Sequence, residues 1–199
     1  MTDGSSRLLD ADFFEEQTFR GGDLTEADLG SKELVRCTFR NVRMMQSRWK
    51  GARLEDCIFD GCDLTRIAPA GLMARGVSFT GCKMIGIDWS DLGAYPAITF
   101  DGCDLRYDSF VSLKLRKIQF QRCDLRDAQL VDVDLGEASF RDCQLGGTRF
   151  ERCDLRRASF TGAVDLILEP QGNRLGGTRV PLETALQLAR ALGLEIASD

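Results

Sequence analysis

Residues 98–162 read ITFDGCDLRYDSFVSLKLRKIQFQRCDLRDAQLVDVDLGEASFRDCQLGGTRFERCDLRRASFTG, and their spacing decides the fold. A Leu or Phe stands at every fifth residue from Phe100 to Phe160 without a miss. Two residues before these central positions sit small or apolar residues: Cys103, Ile118, Cys123, Ala128, Val133, Ala138, Cys143, Cys153 and Ala158. A period of five fits neither the 3.6 of a helix nor the 2 of a strand. It requires the chain to make the same quarter turn every five residues, with two side chains pointing inward, so four sides close a square coil of about twenty residues. The longer period is visible in Phe39, Phe59 and Phe79, extended back by Phe19, and again in Phe100, Phe120, Phe140 and Phe160. The two series are offset by one residue, which places an insertion between Trp89 and Phe100.

The pattern resembles the pentapeptide-repeat family, whose unit is Ala-(Asp/Asn)-Leu-x-x. CDLTR (62–66), CDLRY (103–107), CDLRD (123–127) and CDLRR (153–157) match it closely, with Cys in place of Ala. The resemblance covers roughly residues 17–164. It implies an all-β fold, a right-handed quadrilateral β-helix of about eight coils, closed by a C-terminal α-helix. At about 4.8 Å per coil the shaft would be about 38 Å long. The chain divides into an N-terminal cap over 1–16, repeats over 17–164, and a closure and dimerisation segment over 165–199, one domain overall.

Composition narrows the function classes. The chain has no His, which removes the commonest general base and metal ligand and disfavours enzyme chemistry. No apolar run approaches the length that spans a membrane, and the acidic start MTDGSSRLLDADFFEE lacks an apolar signal core, so a cytoplasmic protein is expected. The net charge of −5 is uneven: residues 1–35 carry nine acids against three bases (−6), 36–162 carry 20 bases against 17 acids (+3), and 163–199 carry three bases against five acids (−2).

The first repeat block runs from Phe19 to Leu64, with Trp49 filling a wide part of the coil. Residues 65–76 keep the count but place Pro69 and Ala74 at central positions; Pro cannot donate to a ladder, so this side is expected to distort outward. SDLGAYPA (90–97) holds the inserted residue and the turn formers Asp91, Gly93 and Pro96, and it is the best candidate for a loop projecting from the shaft. After Phe160 the repeat fades. PLETALQLARALG (181–193) reads as a helix with Pro181 in its first turn and Gly193 as its stop, and the tail LEIASD could add a short strand. Its apolar residues cover most of the circumference, so it needs two surfaces: the open coil end, and the same helix of a second subunit through Leu182, Leu186, Leu188, Ala189, Leu192 and Leu194.

All eight cysteines fall two residues before a central position, spaced 5, 10, 20 or 21 apart, with no C-x₂-C pair. That excludes a metal site on spacing, and stacked coils hold side chains too far apart for easy disulfides. The cysteines read as small buried hydrophobes, the Phe column as core, and the outward Asp residues, among them Asp23, Asp63, Asp104 and Asp124, as a solvated surface interleaved with Arg and Lys. No cofactor is expected.

Length, central irregularity and closing helix are similar to the quinolone-resistance (Qnr-type) branch of the family, as is CKMIGIDWS (82–90). That resemblance implies a homodimer that binds DNA gyrase or topoisomerase IV in the manner of a DNA duplex and protects it from poisons, without touching nucleic acid itself. The near-neutral coils depart from strongly acidic mimics, so contact through the irregular segments is the other route. The residues singled out for partner contact are Asp63, Arg66, Pro69, Arg75, Asp91, Tyr95, Asp104 and Asp124. A non-catalytic scaffold with an unrelated protein partner is the alternative.

Overall fold

A computed structural model describes residues 6–197. The described chain winds through fourteen short strands, numbered β1–β14 in chain order, and one helix, α1 (Leu182–Ala191). All strand pairs are parallel, and most are displaced by twenty residues, so each strand lies on the one a full coil earlier. The coil has four walls.

The wall of Phe residues carries a seven-stranded sheet: β2 (Thr18–Arg20), β4 (Thr38–Arg40), β6 (Ile58–Asp60), β8 (Val77–Thr80), β9 (Ile98–Asp101), β11 (Gln119–Gln121) and β13 (Ser139–Arg141). Bridges Ser139↔Ser159 and Ser159↔Arg179 continue it. Behind it eight Phe rings, from Phe19 to Phe160, stack with centroids 4.6–5.4 Å apart and planes within 22° of parallel. The strand spacing thus lets rings in one column pack face over face.

The wall before it in each coil holds β1 (Phe13–Glu15), β3 (Glu33–Val35), β5 (Arg53–Glu55) and β7 (Met73–Arg75). Beyond the inserted loop this wall continues as the single-residue bridges Lys114↔Asp134↔Asp154↔Arg174. The wall after the Phe sheet is a line of such bridges, Asp23↔Arg43↔Asp63↔Lys83↔Asp104↔Asp124↔Gln144↔Val164. The fourth wall carries β10 (Ser109–Val111), β12 (Gln129–Val131) and β14 (Arg149–Glu151).

At many corners the amide two residues before a central position donates to the preceding central carbonyl, as in Ala27→Leu24, Ile118→Leu115 and Ala158→Leu155 (2.9–3.1 Å). Such turns hold corner residues at positive φ, for instance Arg66 at 55° and Arg157 at 60°. For a residue with a Cβ this costs roughly 1 kcal/mol.

The cysteines do more than fill space. Cys37, Cys57, Cys62, Cys82, Cys103, Cys143 and Cys153 each point Sγ at a central carbonyl one coil back, 3.2–3.5 Å away. Thr148 and Thr178 place a hydroxyl in the same role at 2.8 and 2.7 Å. The residue type that recurs here is a small side chain with a donor. All eight cysteines are buried and unpaired. The Cys103 thiol, hydrogen-bonded to Cys123 and buried, is pushed up to about 12.

The insertion lies where the spacing placed it: Gly93 still bonds Leu72, while Val77 pairs with Ile98, twenty-one residues on. Three other expectations are corrected. The 65–76 side does not bulge: Pro69 is buried, and β7 keeps register with β5. Pro69 falls at the level between the large Trp49 and Trp89, both buried, and Ala74 pairs in register with Leu54. Proline's missing N–H shows in the ladder instead, since Arg48↔Ala68 is bridged and Asp88↔Ser109 is bridged, with no Ala68↔Asp88 bridge among the described residues. The repeat also starts earlier and ends later than its pattern suggests. Phe14 is a central residue in β1, its ring edge-on to Phe19 at 5.6 Å, and Arg174 and Arg179 still pair with the coil before. Finally, Leu194–Ala197 form no strand; within α1, Thr184 faces inward, its hydroxyl donating to the Leu166 carbonyl at 3.1 Å. At the N-terminal end, Leu8 in a short 3-10 turn (Ser6–Leu9) is fully buried. Residues 1–5 of the expected cap lie outside the described residues.

Asn173 substitutes for a missing coil. Its Nδ2 donates to Phe150 O (2.7 Å) and Glu169 O (3.0 Å), and its Oδ1 accepts from the Cys153 amide (2.8 Å). Asn173→Ala is expected to lower stability by about 1–3 kcal/mol, read as a fall in the urea midpoint. Asn173→Asp, which turns an oxygen toward the Phe150 and Glu169 carbonyls, should cost at least as much as Asn173→Ala at neutral pH.

Candidate partner-binding surface

The wall holding β1, β3, β5 and β7 is interrupted above β7 by residues 92–96, where no strand forms. The loop is tied down at its start: Gly71 donates to Asp91 O (2.6 Å) and Gly93 to Leu72 O (2.9 Å). Gly93 is required by proximity, because a Cβ there would stand 2.8 Å from Met73 Cγ and 3.2 Å from Leu72 O. Tyr95, at φ 56°, is thrown outward with 71% of its surface exposed, and Lys114 Nζ lies 5.2 Å from its ring centroid.

The loop divides the wall. On one side a groove of about 360 Å³ runs over β3, β5 and β7 between Glu33, Arg53 and Met73 on one rim and Val35, Glu55 and Arg75 on the other, and ends at Ala94. On the other side a recess of about 220 Å³ separates the loop from Ser112, Leu113 and Lys114.

Of the residues singled out from the sequence, Arg75, Asp91 and Tyr95 lie on or beside this wall. Arg66 is exposed on the Asp-lined wall, next to Gly86. Pro69 is inside the coil and offers nothing to a partner. Asp63, Asp104 and Asp124 stand in one column, but each turns an oxygen back to its own corner, accepting the amides of Thr65 (3.1 Å), Arg106 (3.4 Å) and Arg126 (3.1 Å). Each is also paired with a base: Asp63 with Lys83 (3.7 Å), Asp104 with Arg106 (2.8 Å), Asp124 with Arg126 (2.6 Å). The column is a row of turn caps with its charge largely neutralised, a role shared by Asp23 and Asp154.

These contacts set how carboxylates titrate. Burial pushes the Asp124 carboxyl up, but the Arg126 hydrogen bonds hold it below the usual range. Arg152, Arg156 and Arg116 hold Asp132, Asp154 and Glu137 low in the same way.

Asp108 is the exception, and sequence reasoning passed it over. It occupies an inward position normally held by Cys or Ala and is fully buried. Oδ1 accepts the Ile87 amide at 2.7 Å and Oδ2 the Trp89 indole N–H at 2.9 Å. In the coil two turns earlier Trp49 donates instead to Ser47 of its own coil, at 2.9 Å. Asp108 thus ties the segment leading into the loop to the coil that follows. Burial pushes its carboxyl well above the ordinary value, opposed by the Trp89 and Ile87 bonds. An acidic residue at a position that elsewhere most often holds Cys, Thr, Ser or an apolar side chain was the available signal.

Residues 74–150 and 97–164 match the model of the pentapeptide repeat region. This stretch of the chain is a pentapeptide-repeat region. Over 76 residues it is 32% identical to the quinolone resistance pentapeptide repeat protein QnrB96 of Scandinavium goeteborgense, an alignment covering 38% of this chain and 36% of that one, so it spans about a third of that relative's length. Its fold is similar to that of a trypsin-treated variant of QnrB1, a plasmid-mediated fluoroquinolone resistance protein, with a TM-score of 0.68 at 22% identity over 93% of this chain and 90% of that one. It is also similar to HetL, a pentapeptide-repeat protein involved in heterocyst differentiation regulation from the cyanobacterium Nostoc sp. strain PCC 7120, with a TM-score of 0.56 at 19% identity and 84% coverage of both. Among the described residues no helix is long and apolar enough to cross a membrane, and no cluster of His, Cys, Asp or Glu is placed to hold a metal.

Asp108→Ala leaves the Ile87 amide and the Trp89 indole buried without acceptors and is expected to cost about 2–4 kcal/mol in urea unfolding. The pH dependence has two opposing parts. The carboxylates held low stabilise the fold above the unfolded value near about 4 and lose that contribution as pH falls through their folded values. Asp108, held high, contributes below about 4 and loses that contribution as pH rises through its folded value. Acid titration of the thermal midpoint should therefore show a net fall below about pH 4, set by the several low carboxylates.

Proposed function

We propose that this protein binds DNA gyrase or topoisomerase IV in the cytoplasm and protects it from a topoisomerase poison, with no catalysis of its own. The observation that carries the reading is the match of fold to QnrB1 along nine-tenths of both chains, joined to the sequence relation to QnrB96. The route of contact follows from the walls. A shaft mimicking duplex DNA needs unpaired carboxylates in rows, and here Asp63, Asp104 and Asp124 are capped and paired. The loop over 92–96, with Tyr95 outward and Arg75 beside it, is the better contact.

The reading includes a homodimer through α1. Thr184 and Leu188 turn α1 toward the coil end, leaving Leu182 76%, Leu186 36%, Leu192 66% and Leu194 60% exposed, with Ala189 half-buried. A second copy of the helix would cover that strip.

Gyrase cleavage in the presence of a fluoroquinolone is the direct test. Added protein should reduce cleaved DNA while supercoiling is largely retained, and Tyr95→Ala should weaken protection. Absence of both binding and protection would overturn the reading. Leu186→Asp with Leu192→Asp should halve the mass seen by light scattering; an unchanged dimer would rule out α1 as the interface.

A further inference from the structure

The interrupted wall is electrically two-sided. Before the loop, positions 13–16, 33–36, 53–56 and 73–76 carry five acids (Glu15, Glu16, Glu33, Glu55, Asp56) and three bases (Arg36, Arg53, Arg75), a sum of −2. After it, positions 114–117, 134–137, 154–157 and 174–177 carry six bases (Lys114, Arg116, Lys117, Arg156, Arg157, Arg174) and three acids (Asp134, Glu137, Asp154), a sum of +3. This half-wall is basic on a chain whose net charge is −5.

Its acids are outnumbered at close range. Glu137 is engaged by Arg116 and by Lys117 at 3.8 Å, and Asp154 by Arg156 at 2.5 Å and Arg174 at 3.4 Å. The Glu137 carboxyl is held low by Arg116 first, with Lys117 and Arg157 adding to it. Between these side chains lies a depression of about 340 Å³ lined by Arg116, Arg156, Arg157 and Gly176. Gly136 makes room for it: a Cβ there would stand 3.1 Å from Arg116 Nη1. At the loop end, Lys114 and the exposed Tyr95 border the half-wall.

We propose that this basic half-wall is a docking surface for an extended acidic segment of a partner protein. Charge complementarity selects an anionic occupant. The size selects a peptide, since Lys114 to Arg174 spans three coil steps, about 14 Å, the reach of four or five extended residues. A nucleic acid duplex is disfavoured by the chain's pI of about 5.0, because the acidic remainder of the molecule would repel a long polyanion. The proposal stands independently of the topoisomerase reading, which rests on the fold match to QnrB1 and puts its contact at the loop.

The test uses the full chain and a fluorescein-labelled ten-residue peptide with glutamate at every second position, followed by anisotropy at low salt and near 0.15 M ionic strength. Binding should weaken as salt rises. Arg157→Glu and Lys114→Glu should each weaken it on the order of fivefold or more, and Arg157→Ala by less, with unchanged circular dichroism. Arg40→Glu, on the Phe wall, should leave it unchanged. No binding at low salt, equal weakening by Arg40→Glu, or tighter binding of a labelled DNA duplex than of the peptide would each overturn the proposal. So would loss of peptide binding at protein concentrations where light scattering shows self-association, which would assign the half-wall to a second copy.

Discussion

Every coil must bring its backbone back within one hydrogen bond of the coil before, and everything else in the molecule answers to that requirement. A twenty-residue circuit with four corners allows it only if each wall consumes five residues and each corner turns by the same angle. Corner residues accept an unfavourable backbone conformation, and the inward pair on each wall must fill a constant square cross-section. No coil satisfies its own backbone; each is completed by its neighbours, so stability has a nearest-neighbour character and the ends need special treatment. Leu8 and α1 close the core at the two ends, and the Asn173 side chain stands in for peptide groups that a further coil would have provided.

The period of five, the Phe column and the place of the insertion were all legible in the sequence, because each is a property of spacing and spacing is what the ladder dictates. What stayed hidden depends on partners one coil away. Pro69 reads as a disruption when it is taken alone, yet a ladder of many bonds tolerates the loss of one, and a small ring suits a level between two tryptophans. The Cys residues read as filler because the carbonyls they approach lie 23 or 24 residues earlier. Nothing local marks Thr184 as inward, because the carbonyl it donates to, Leu166 O, lies eighteen residues earlier. Asp108 carries no local sign that it serves an indole nineteen residues before it. Of the candidate surface, the loop and Tyr95 could be foreseen from turn formers and the broken count, but the neutralisation of the Asp column could not.

The walls divide labour. The Phe wall is the continuous one, with sheet pairing along most of the shaft and a stacked ring behind every level. The Asp-lined wall spends its carboxylates on its own turns and on neighbouring bases, so it presents alternating charge rather than a field of one sign. Among the described residues, the interrupted wall combines a projecting aromatic, three recesses and a change of charge sign along its length. The proposed contacts fall on this wall, which carries strands only as far as β7 and single-residue bridges beyond the loop.

The step from a displacement of twenty residues to one of twenty-one is absorbed wholly within that wall, while Phe79 and Phe100 still stack at 5.4 Å. The length of this loop is therefore uncoupled from the pitch of the helix. Related chains could lengthen, shorten or replace it without re-registering a single ring of the core, which makes it the part of the molecule where new specificity can arise by insertion while the rest of the sequence stays locked to its count.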